Sequence, residues 1–177
     1  TGCETEFENP NNPTEEVVLG TKEGLFALSI GIRQFYSTST LRQVIEAPGI
    51  TTRELGVTNT FLNINELAKG GAELPGESGG ITNPWVSLLK VKGMAESLIE
   101  GANNVELTNG TRSGLIAYGN LFKVMCLGNM VQMYEQAPID NAADGAAAFS
   151  DRATVLAKCI ALLQEARDGL NASPMSD

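Results

Sequence analysis

The chain has 177 residues, enough to bury a single-domain core without help from disulfides or metal. With 12 Lys+Arg against 21 Asp+Glu its formal charge is -9, which sets it against nucleic-acid backbones and anionic membrane surfaces and leaves neutral or cationic partners open. The absence of histidine removes Ser-His-Asp and Cys-His catalysis along with the commonest metal-binding side chain, and no unbroken run of about 18 apolar residues suggests a membrane-spanning helix.

The first stretch, TGCETEFENPNNPTEE, has no helical or strand period, and Asn9-Pro10 and Asn12-Pro13 favour extended or turn backbone, so residues 1–20 are expected to form an extended arm. Gly2-Cys3 resembles the end of a bacterial lipobox, whose cysteine is acylated and heads the mature protein; Thr1 and Gly2 would then be precursor remnants. Otherwise Cys3 is an odd cysteine, free to bridge between chains. Residues 21–177 are expected to form one helical domain.

Thr21 followed by Glu23 predicts a capped helix from Lys22 to Tyr36, with Leu25, Leu28, Ile32, Phe35 and Tyr36 inward and Gly24 and Gly31 at close contacts. Leu41 to Glu46 reads as a helical turn ended by Pro48-Gly49, and Thr60 to Lys69 as a short helix. GGAELPGESGG, from Gly70 to Gly80, reads as a flexible loop; without a following Lys-Ser/Thr it is no phosphate cradle. Asn83 then caps a helix with Pro84 at its first position, and Trp85, Leu88, Leu89, Val91, Met94, Leu98, Ile99 and Ala102 form its apolar face.

The turn NNVELTNGTRSG leads into the central helix, from Thr111 to about Gln136, which is apolar on more than one side. Gly114, Gly119 and Gly128 are expected where another backbone comes close, and Pro138 ends the helix. QAPIDNAADGAAA follows as a linker, and Ser150 caps a last helix that carries Val155, Leu156, Cys159, Ile160, Leu163, Ala166 and Leu170. Strand signals are few, so the expected fold is all-α, a set of antiparallel helix pairs or a small bundle.

Cys126 and Cys159 fall in apolar helical segments and read as buried thiols, or as a disulfide if their helices are neighbours. Trp85 can serve as a sugar-stacking platform, although its place on an apolar stripe favours packing; Tyr36 and Tyr134, near helix ends, can each turn a hydroxyl toward a ligand. Glu135 and Asp140 flank the Pro138 turn as a glycosidase pair would, but no arrangement of acid and base follows from spacing, and no enzyme is expected. No calcium loop and no cofactor motif is present, so neither a metal nor a cofactor is expected. Asn109-Gly110-Thr111 and Asn171-Ala172-Ser173 match the glycosylation tripeptide, with turn residues at helix ends as the plainer reading.

Cys3 with its acidic followers, Asn9-Pro10-Asn11-Asn12-Pro13-Thr14, the Glu23-Gly24-Leu25 helix start, Trp85 with Leu88 and Asn103, the long helix ending in Tyr134 and Pro138, and the Arg152 to Leu170 helix with Glu165 and Ala166 together resemble the N-terminal part of the SusD/RagB family. These are surface lipoproteins that partner TonB-dependent outer-membrane transporters in Bacteroidetes. The resemblance implies tetratricopeptide-like helix pairs at the outer-membrane surface or outside the cell, although a strict repeat of about 34 residues is absent. Family members usually continue for several hundred residues, with much of their glycan-contacting surface in the C-terminal part, so the resemblance implies either a fragment of a longer protein or a short relative put to another use.

Two functions follow as expectations. One is a non-enzymatic scaffold acting through protein contacts, with copies of itself, even as filaments, or with a transporter. The other is capture of a nutrient, glycan or peptide. A groove lined by exposed aromatics favours capture, and a buried Trp85 favours the scaffold.

Overall fold

The structure, a computed structural model, describes residues 15–58, 61–142 and 145–175. Cys3 and most of the expected arm lie outside the described residues. In chain order the elements are α1 (Glu15–Gly20), α2 (Lys22–Phe35), a π-helical segment (Tyr36–Thr40), α3 (Leu41–Thr51), α4 (Leu62–Lys69), a short 3-10 turn (Gly71–Glu73), α5 (Gly79–Asn104), α6 (Asn109–Met133), β1 (Gln136–Pro138), β2 (Phe149–Asp151) and α7 (Arg152–Ala172). The chain is mostly helical, with packed antiparallel neighbours and a small two-stranded hairpin.

α6 is the axis, and its largest interfaces are with α5 on one side and α7 on the other. The core joins Leu88, Val91 and Leu98 of α5, Phe122, Leu127 and Met130 of α6, Val155 and Leu162 of α7, and Leu25 and Ile32 of α2. Each such side chain contributes about 1.5–3 kcal/mol of burial before chain entropy is set against it. By length and composition α6 could also cross a bilayer, contrary to the expectation from unbroken apolar runs; 56% of its most apolar window is buried inside the protein.

Local chemistry explains most boundaries. Gly24 N–H donates to Thr21 Oγ1 at 3.1 Å, the expected cap of α2. Arg112 closes the α5–α6 turn by donating to the carbonyls of Ala102, at 3.1 Å, and Val105, at 3.4 Å, where α5 has run out of intrahelical donors. Ser37 and Thr38 hydroxyls donate back to Arg33 and Gln34 carbonyls, and the helix widens to π geometry there. Thr40, on the same segment, shares a buried 2.6 Å hydrogen bond with Ser87 of α5.

Several expectations need correction. The end of the arm is helical from Glu15. α3 runs through Pro48 to Thr51, and α5 begins at Gly79 under a Ser78 cap, so that Pro84 lies inside it and not at its first position. α4 packs directly on the start of α5: a Cβ on Gly80 would meet Asn63 O at 2.9 Å and Leu67 Cβ at 3.1 Å. The linker after α6 opens with β1 and is followed by β2, so the fold is not purely helical. Ser150 pairs with Ala137 in that ladder, leaving Asp151 to cap α7 by accepting from Thr154 N–H at 2.8 Å. Gly119 faces Ile99 and the Ala95 carbonyl as expected of a close-packing site, but Gly128 has nothing near the position of a Cβ.

Candidate functional site

Three aromatic side chains from separate elements meet at one end of the α5–α6 pair. Trp85 comes from the second turn of α5, Tyr134 caps the C-terminus of α6, and Phe149 opens β2. The hairpin register sets Phe149 opposite Pro138 and so carries it back toward Trp85. Trp85 meets Tyr134 edge-on, with centroids 4.8 Å apart at 80°, and Phe149 nearly parallel, 5.8 Å apart at 6°. Tyr134 donates its hydroxyl to Ile81 O at 2.6 Å, and burial pushes its phenol up to about 12, so the donor keeps its proton.

The three rings line a trough of about 420 Å³ together with Thr82, Glu135 and Gln136, within the range of small-ligand sites. Phe149 is 56% exposed and Trp85 half-buried. Glu135 is exposed and has no ion pair among the described residues. On the other side of Tyr134 and Ile81 lies a second, apolar groove of about 480 Å³, walled by Pro48, Leu67, Leu74 and Met133.

The backbone just beyond β1 is fixed by buried charge. Lys92 of α5 is 0% exposed and donates to Glu96 Oε1 at 3.1 Å and to Ile139 O at 3.3 Å. Lys123 of α6 reaches the same Glu96 oxygen at 3.0 Å and bonds the Asp140 carboxylate, while Asn141 N–H donates to Glu96 Oε2 at 3.2 Å. Burial lowers Lys92. Burial also works against the charge of Lys123, but its bonds to Asp140 and Glu96 prevail and raise it. Asp140 is held low, first by the Lys123 bond.

Of the residues singled out from sequence, Trp85 and Tyr134 come together here and Tyr36 does not. Tyr36 is buried against Phe122 and its hydroxyl accepts from Asn129 Nδ2 at 3.4 Å, so its role is core packing. Cys126 and Cys159 lie on adjoining helices, yet both are free, buried thiols and not a disulfide; burial raises both, Cys126 to about 12. Asn109 and Asn171 are exposed, and both lie within helices, at the start of α6 and in the last turn of α7. Those two ends adjoin, because Ser113 bonds the Ser173 carbonyl.

Glu135 edges the trough, whereas Asp140 is engaged by Lys123. Phe149 was missed, although a lone aromatic in an Ala/Gly/Asp linker was the available signal. No family model, curated protein or solved structure matches this chain.

Proposed function

We propose that the protein is a non-enzymatic helical scaffold of the bacterial surface that acts through protein contacts. The observation that carries this reading is a second apolar stripe on α7. Val155, Cys159 and Leu162 turn into the core, while Leu156, Ile160, Leu163 and Leu170, spaced as one helical row, are 44%, 59%, 43% and 38% exposed. Two stripes suit a helix with two helical neighbours, and among the described residues α6 supplies one of them. The resemblance to SusD/RagB lipoproteins supports the same reading, since tetratricopeptide-like pairs stack by covering the outer face of the preceding helix. The occupant in this reading is an amphipathic helix, supplied by another copy of the chain, by a partner such as an outer-membrane transporter, or by a further part of the same protein.

Light scattering on native material, with and without reductant, tests self-assembly. The expected result is a mass that is a multiple of 18.7 kDa and that Ile160→Glu reduces to the monomer. Loss of the assembly under reductant would give Cys3 a linking role. A wild-type chain that remains monomeric at all concentrations would remove self-assembly and return the weight to a transporter-associated module or to a fragment of a nutrient-binding lipoprotein.

The aromatic trough favours a second reading, capture of a nutrient. Its exposed Phe149 beside Trp85 is the kind of surface on which a flat ligand face can stack.

A further inference from the structure

The trough combines π faces with one carboxylate and holds no cationic side chain among its lining residues. Glu135 at its edge is without an ion pair among the described residues, so its charge is available to a ligand. The hydroxyl of Tyr134 donates to Ile81 O and that of Thr82 to Ser78 O, which leaves Glu135 and Gln136 as the polar side chains of the lining open to a polyhydroxylated ligand. An ammonium or guanidinium needs fewer: an aromatic face for its diffuse charge and a nearby anion. The net charge of -9 favours the same sign of ligand. Arg152 lines the adjoining hollow with Glu135 and Asp151 and makes no ion pair with either among the described residues.

We propose that the trough formed by Trp85, Tyr134, Phe149 and Glu135 binds an organic cation, an ammonium or guanidinium group such as the basic side chain of a peptide carries. Trp85 and Phe149 supply the π surface, and Glu135 supplies the counter-charge. This assignment rests on the capture reading of the trough and is independent of the α7 surface.

Trp85 is the only tryptophan in the chain, so its emission reports on this site directly. The full chain is titrated with tetramethylammonium and with Nα-acetylarginine amide, and in parallel with neutral malto- and cello-oligosaccharides. The expected result is a saturable change with the two cations that weakens as NaCl is raised. Glu135→Gln weakens it about two- to fivefold. Phe149→Leu, which keeps an apolar side chain at an exposed position but removes the π face, weakens it about two- to thirtyfold. Far-UV circular dichroism checks that both variants remain folded. Saturation by a neutral oligosaccharide, with Glu135→Gln unchanged and the cations silent, would overturn the cation assignment and keep capture. Silence from cations and sugars alike would overturn both.

Discussion

Glu96→Ala is the most informative single change to the core, because one carboxylate serves two lysines. Lys92 and Lys123 have side chains only 0% and 7% exposed, and both direct an Nζ at Glu96 Oε1. Removing that carboxylate leaves Lys92 with only the Ile139 carbonyl and Lys123 with Asp140, whose own side chain is 73% exposed. Breaking a buried pair from one side costs about 3–5 kcal/mol, and the partial exposure of Glu96 places this case near about 3 kcal/mol. For a chain of this size that lowers Tm by roughly 6–12 °C.

Lys92→Met removes the buried ammonium together with the cost of burying it, so its expected penalty is within about 1 kcal/mol. Urea unfolding followed by Trp85 emission and far-UV circular dichroism measures both variants. A Glu96→Ala cost below about 1 kcal/mol, or a Lys92→Met cost above that of Glu96→Ala, would refute the reasoning that the lysines depend on this carboxylate.

Thr40→Val leaves the buried Ser87 hydroxyl without its partner and should cost about 1–2 kcal/mol, while Thr40→Val with Ser87→Ala should cost less than the sum of the two single changes in the same unfolding assay. The helix glycines separate by calorimetry: Gly119→Ala should destabilise by about 1–3 kcal/mol, since its Cβ would lie 2.6 Å from Ile99 Cγ1, whereas Gly128→Ala meets open space and should stabilise by up to about 1 kcal/mol. Because the folded-state carboxyl of Asp140 is depressed, its contribution is present above the unfolded carboxyl range and fades as pH falls through the depressed value. Asp140→Asn should therefore flatten that part of the acid limb; its exposure to solvent keeps the effect at neutral pH under about 1 kcal/mol.

The helices of the α5–α6–α7 layer were legible because their apolar residues recur over five turns or more, and Thr21 was legible because a cap is a local device. The start of α5 was not. Pro84 after Asn83 is a strong local signal, but the contact of α4 with Gly80 depends on residues far away in sequence. The hairpin escaped for a related reason: three-residue strands are too short to display a period of two, and their register pairs Gln136 with Asp151 across the intervening linker. The Lys92–Glu96 pair has i,i+4 spacing, but its burial depends on Lys123 and on the turn at Ile139–Asn141, which spacing within one helix does not reveal. The trough was half visible. Trp85 and Tyr134 carried an aromatic signal at helix boundaries, whereas Phe149 acquires meaning only when the hairpin brings it back to α5.

The two largest helix interfaces join helices consecutive in the chain, α5 with α6 and, across the hairpin, α6 with α7, and this bears on how the protein reaches its native state. Contacts between sequence neighbours require little loop closure, so this three-helix layer is suited to form early and quickly. α2, whose Tyr118 contact spans 89 positions through the Ser29 carbonyl, docks onto a surface that already exists. Folding should therefore proceed from the C-terminal layer outward, and substitutions in α2 should act mainly on the unfolding rate.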